Sequence, residues 1–179
     1  MYLILTRDRM LFQGIACLAG PDNTVLIQHE EDICPDRYRH AIVIIDTLKN
    51  NIFHSALSIR LLQTEPRHIF VMSPFGIKNC LGDTKVKFIP RTLPPTEFRR
   101  IIISEEYFPW RPEIYLTRRQ HQVMTTLLTT HKTRHSCTEM NIMMKTFYNH
   151  KYDVMDLFGV RRLNKLLEHP CLDYLRSEQ

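Results

Sequence analysis

The sequence predicts a parallel α/β sandwich followed by an all-α unit, and three observations carry that expectation. Over the first hundred residues, short apolar, β-branched runs alternate with helical spacing, the pattern of strands buried on both faces and joined by crossover helices. The stretch "SEEYFPWRPEIY" then holds Pro109 and Pro112, each of which forces its predecessor into an extended conformation. Beyond it the strand-like runs stop and helical spacing takes over. The expected division is an α/β domain over 1–103, a linker over 104–115 and a helical domain over 116–179.

In chain order, "YLIL" reads as a strand, "DRMLFQGIACLAG" as a helix, "TVLIQ" and "AIVIID" as strands, and "ALSIRLLQ" as a helix. "HIFVMS" and "VKFIP" follow as strands, and "PPTEFRRIII" as the closing helix. In the second half Thr117 is an N-cap for a helix carrying Val123, Leu127 and Leu128. A short helix then ends near Met140, with a tight turn at Asn141 and Ile142 and a new helix from Met143 to Lys145 onward. Phe147, Val154 and Phe158 form its buried stripe, Gly159 ends it in a left-handed conformation, and Arg161 opens a fourth helix with Leu163, Leu166 and Leu167.

The chain of 179 residues is 44% apolar with mixed charge, which argues for globular structure. No apolar run reaches the roughly 18 residues that span a bilayer, and the N-terminus lacks the features of a signal peptide. A cytoplasmic protein without a membrane partner is expected. Cys17, Cys34, Cys80, Cys137 and Cys171 are scattered, with no C-x-x-C pair, so neither a zinc site nor a disulfide framework is suggested. His131 and His135 share a helix face at i, i+4, but no ligand lies at a completing spacing. Neither metal, cofactor nor small-molecule ligand is expected. A Gly-rich phosphate loop, nucleophile elbow or paired-carboxylate motif does not stand out, so the reading is not an enzyme.

The formal charge of +5 is uneven. Through Ile114 basic and acidic residues nearly balance, whereas Thr117 to Leu167 holds Arg118, Arg119, Lys132, Arg134, Lys145, Lys151, Arg161, Arg162 and Lys165 against Glu139, Asp153 and Asp156. Such a localised excess is the footprint of a polyanion-binding surface. Projected at about 100° per residue, the helix in "KTFYNHKYDVMDLFGV" turns Lys145, Tyr148, Asn149 and Tyr152 away from the side that holds Phe147, Lys151, Val154 and Phe158, with His150 at its edge. The outer face is basic, aromatic and amide-bearing at its N-terminal end, and Asp153 and Asp156 make the other end acidic. A helix entering the DNA major groove by its N-terminal end has that gradient.

Residues Leu116 to Leu167 resemble, without a gap, the DNA-binding domain of the LuxR/FixJ family of bacterial regulators. "LTRRQHQVM" is similar to that family's opening block, and Thr146, His150, Val154, Phe158, Gly159 and Val160 fall in register with its threonine, histidine, aliphatic and glycine positions. The resemblance implies a four-helix, helix-turn-helix domain that binds double-stranded DNA. It places Tyr148, Asn149 and Tyr152 at base edges, with Thr146 beside them and Arg118, Arg119, Lys145, Lys151, Arg161 and Arg162 toward phosphates. Val160, Leu163, Leu166 and Leu167 become a candidate dimer seam. Departures are Gln120 for a usual Glu, Thr130 for a glycine, "HSC" at 135–137 for a Glu-Ile-Ala-like triplet, and Met143 for a Ser N-cap.

The first half resembles a response-regulator receiver domain, a flavodoxin-like fold. Such a domain holds Mg²⁺ with an acidic pair after its first strand, takes phosphate on an aspartate after the third, and carries Ser or Thr after the fourth and Lys after the fifth. Here Asp46 and Ser73 stand at two of those positions, but Thr6 and Arg7 replace the acidic pair, with Asp8 nearby, and Arg91 replaces the lysine. Asp46 is therefore expected to be a vestigial phosphoacceptor, paired with Arg7 or Arg91. The span from Ser73 to Arg91 is short for a fourth helix, which is expected to be abbreviated or missing.

Together the halves look like the enterobacterial auxiliary regulators typified by GadE, with a degenerate receiver that serves association. The implied function is phosphorylation-independent transcriptional regulation as a homodimer or as a heterodimer with an RcsB-like response regulator. The alternative is an adaptor that modulates a partner regulator without reading DNA.

Overall fold

The computed structural model describes residues 1–47, 55–82, 84–106, 110–129, 137–138 and 140–172. The chain divides into two compact units, Met1–Pro74 with Cys80–Pro112, and Phe75–Asn79 with Glu113–Gln179.

The first unit is built on a parallel sheet of β1 (Tyr2–Leu5), β2 (Thr24–Ile27), β3 (Ile42–Asp46), β4 (His68–Met72) and β6 (Lys87–Ile89), in the order β2-β1-β3-β4-β6. Ile4 pairs with Ile44, Ile44 with Phe70, and Met72 with Ile89. Because side chains alternate along a strand, Ile4, Ile42, Ile44, Phe70, Met72 and Ile89 share one face. They form a core with Ile15 of α1 (Arg9–Ala19), Phe98 of α3 (Pro95–Phe98), and Ile101 and Ile102. The opposite set, Leu3, Leu5, Val43, Ile45 and Val71, is equally buried, which explains why the central strands read as unbroken apolar runs. The helix α2 (Ser55–Gln63) contributes buried Leu61. After α3 the chain widens into a π-helical turn over Arg99–Ile103, a local geometry that residue spacing does not announce.

No helix lies between β4 and β6 among the described residues. Part of that connection, the two-residue strand β5 (Gly76–Ile77), belongs instead to the second unit, where it pairs in parallel with β7 (Tyr115–Leu116). The expected linker thus ends in a strand, and the second half is not purely helical. Its described helices are α4 (Arg118–Thr129), α5 (Met144–Leu157) and α6 (Leu163–Leu167), and Cys137 and Thr138 are also helical. Val123, Cys137 and Phe147 form a core cluster flanked by Leu127, Met140 and Ile142. Val154, Met155, Phe158 and Leu166 are buried as well.

Local chemistry explains the helix ends. Thr117 Oγ1 accepts from Gln120 N at 3.2 Å while Gln120 Oε1 accepts from Thr117 N at 2.8 Å, a reciprocal capping box in which Gln replaces Glu. Asn141 takes φ 50°, with Ile142 N bonded to Cys137 O and Asn141 N to Thr138 O, the double bond of a left-handed helix stop. Gly159 repeats this after α5 with φ 65° and the bonds Val160 N to Met155 O and Gly159 N to Asp156 O. Met143 stands at the N-cap of α5 without a side-chain cap. The helix α6 opens at Leu163 with Arg162 as its N-cap, so Arg161 lies outside it, and no side chain caps that start.

Candidate functional site

Two groups of residues singled out by the sequence are placed by these elements. The first surrounds Asp46 at the end of β3. Its carboxylate is 1% exposed and accepts a hydrogen bond from Thr6 Oγ1 at 2.7 Å, while Arg91 Nε lies 3.6 Å from its other oxygen. Arg91 also reaches Asp8 Oδ2 at 2.6 Å. Asp8 caps α1 by accepting from Met10 N and Leu11 N. The bond from Leu11 N, with Arg91 and Met10 N, holds its carboxyl below the usual range against the opposing effect of desolvation. Ser73 is fully buried, and Thr47 Oγ1 donates to Met72 O.

One guanidinium therefore bridges two carboxylates. Of the two expected partners of Asp46, the structure selects Arg91, and Arg7 is exposed. Among the described residues no group of three or more His, Cys, Asp or Glu could hold a metal ion. His131 and His135 lie outside the described residues, as do Thr130, Lys132, Arg134, Ser136 and Glu139. Cys17 and Cys34 are exposed, and Cys80 and Cys137 are buried.

The second group is the outer face of α5. The left-handed stop at Asn141 leads through Ile142 and Met143 into α5, whose buried Phe147, Val154 and Met155 fix its rotation. That rotation leaves Lys145, Tyr148, Asn149 and Tyr152 exposed, with Thr146 half-buried. Met143 at 75% and Tyr152 at 56% exposure are large apolar groups left in water. The Lys151 ammonium lies 5.5 Å from the Tyr148 ring centroid and 5.6 Å from that of Tyr152, within cation–π range of both. His150 is partly buried, with Nδ1 3.8 Å from Asp153 Oδ2.

Arg161 and Arg162 are exposed beyond the end of α5. Arg119 donates to Gln122 Oε1 and to Met140 O, tying α4 to the residue before the turn. Arg118 Nε donates to Asn79 O at 2.6 Å. Of the residues expected in the seam, Leu166 is 1% exposed, while Val160, Leu163 and Leu167 are half-buried.

Sequence reasoning missed Phe75 and Gly76, which enter this second unit from far up the chain. Phe75 is 1% exposed, its ring 5.6 Å from His121 and 6.4 Å from Phe158 by centroids. His121 is itself buried, and desolvation pushes its pKa from 6.5 down to about 4.

The five-stranded parallel sheet in this order and the separate helical unit make a fold shared with a solved structure of low sequence identity. RcsB from Salmonella enterica serovar Typhimurium, solved bound to promoter P1flhDC in the presence of phosphomimetic BeF3-, superposes with a TM-score of 0.58 at 16% identity, covering 98% of both chains. Residues 1–112 match the family described as GadE/DctR transcriptional regulator, N-terminal domain. Over 175 residues the chain is 38% identical to the HTH-type transcriptional regulator DctR of Escherichia coli (strain K12), covering 98% of this chain and 99% of the relative. It is 20% identical over 167 residues to the transcriptional regulator GadE of the same strain, covering 93% and 95%. The chain belongs to the GadE/DctR family of transcriptional regulators. Its relatives are regulators and not enzymes. Among the described residues no helix is long and apolar enough to cross a membrane.

Proposed function

We propose that the protein is a sequence-specific, double-stranded DNA-binding transcriptional regulator whose activity does not depend on phosphorylation. The observation that supports the DNA reading is the left-handed turn at Asn141 leading into α5, which exposes Lys145, Tyr148, Asn149 and Tyr152 on one face and suits a helix-turn-helix. Asn149 suits a bidentate bond to adenine, the tyrosines can pack on a thymine methyl or donate to phosphate, and Lys145, Arg161 and Arg162 neutralise phosphates. Lys151 supports the tyrosine rings and adds to the positive field. Asn149→Ala or Tyr152→Ala should reduce discrimination among sites by about 1 to 3 kcal/mol. Equal losses on specific and random duplexes would remove these residues from the readers.

The link from Arg91 to Asp46 and Asp8 supports independence from phosphate. The carboxylate that would attack is buried and already partnered, and little remains to hold the Mg²⁺ that phosphoryl transfer uses to offset developing charge. Incubation with a small phosphodonor and Mg²⁺ should leave the intact mass unchanged, and an added phosphate on Asp46 would contradict this reading. Pairing, with itself or with an RcsB-like response regulator, would set two such helices about one DNA turn apart. Val160, Leu163 and Leu167 are the residues available to a seam. Sedimentation of the chain alone and mixed with such a regulator distinguishes the two arrangements.

A further inference from the structure

We infer that Phe75–Asn79 is a positioning element of the DNA-reading unit, so that the connection after β4, and not the C-terminal sequence alone, sets the orientation of α5. The segment contributes both a strand and a core side chain. Gly76 N donates to Ile114 O and Lys78 N to Leu116 O, each at 2.8 Å, which locks β5 against β7 immediately before α4. Asn79 O accepts from Arg118 Nε in the first turn of α4. Phe75 and Ile77 are both buried. The Phe75 ring meets His121 of α4 and Phe158 at the C-cap of α5, so one side chain spans the two helices whose angle presents the reading face.

Gly76 is the point where this arrangement is tightest while the Tyr115 ring is in place. A Cβ there would overlap the ring of Tyr115 directly above it, and real Cβ atoms do not approach so closely. The residues on either side, Pro74 and Cys80, belong to the first unit. The segment is thus donated to the second unit from within the sequence of the first. The inference rests on the DNA-reading role of α5 for its functional consequence, but the ordering of α5 can be measured without DNA.

The test compares the full-length wild type with Gly76→Ala, Gly76→Ala combined with Tyr115→Ala, Phe75→Ala and Phe75→Leu. Hydrogen exchange by mass spectrometry should show α4 and α5 amides exchanging at least about tenfold faster in Gly76→Ala and Phe75→Ala, with β1, β3 and β4 unchanged. On a duplex selected by the wild type from a random pool, both variants should lose at least about tenfold in discrimination against random duplex while keeping the salt slope. Removing the Tyr115 ring makes room for the Cβ, so the double variant should recover, as should Phe75→Leu in large part. Unchanged exchange in α4 and α5, equal loosening of β1, β3 and β4, or faster exchange with undiminished discrimination would each overturn the inference. If the wild type binds no duplex with a salt dependence, the DNA reading fails, and the exchange measurement still decides whether this segment orders α5.

Discussion

Replacing His121 by Leu should make the stability of the protein less sensitive to acid. His121 is 4% exposed within the second unit, and burial lowers its pKa from 6.5 to about 4. A group whose folded-state pKa is depressed binds its proton more readily when the chain unfolds. The stabilisation is fully present above pH 6.5, shrinks as pH falls toward 4, and is gone below that. Each pKa unit corresponds to about 1.36 kcal/mol, so the interval is worth about 3 kcal/mol between neutral pH and pH 4. Urea unfolding at a series of pH values gives the free energy of wild type and variant. Other titrating groups are common to both and cancel in the difference, which should change by about 3 kcal/mol over that window. Parallel curves for the two proteins would show that His121 is not held neutral by burial.

Three other substitutions test local geometry. Gly159→Ala meets no atom within 4 Å yet must hold φ 65°, so thermal unfolding should show a loss of about 1 kcal/mol. Met143→Ser supplies the missing cap of α5 and should raise stability by about 1 kcal/mol in the same assay. Asp46→Ala removes the acceptor of Thr6 and one partner of Arg91 in a buried site and should cost about 3 kcal/mol in denaturant unfolding. Asp46→Ala at wild-type stability would mean that Arg91 relaxes onto Asp8 without loss.

What could be read from the sequence divides along the range of the interactions. The central strands were legible because burial on both faces demands runs such as "IVII". Thr117, Asn141, Met143 and Gly159 were legible because caps and left-handed stops depend on a few neighbouring residues. Phe75–Asn79 was not. A two-residue strand has no periodicity, and its partner lies nearly forty residues along the chain. Arg118 and Arg119 were expected to face phosphates, and the carbonyls of Asn79 and Met140 that accept from them were not legible because they come into reach only once the unit has folded. Leu166 and Met155 are interior for the same reason. The Asp46 site lay between these cases: its loss of acidic partners was visible in Thr6 and Arg7, but only the fold brings Arg91 between Asp46 and Asp8.

We propose that the exposed basic and aromatic face of α5, with the arginines beyond it, reads duplex DNA. Affinity of the full-length protein for a duplex selected from a random pool, measured across salt concentration, tests it most directly. Neutralised phosphates release counterions, so log affinity should fall steeply and linearly with log salt, and Arg161→Ala should reduce the slope by about one unit. Weak binding that does not respond to salt would contradict the claim and leave an adaptor acting through its protein partner.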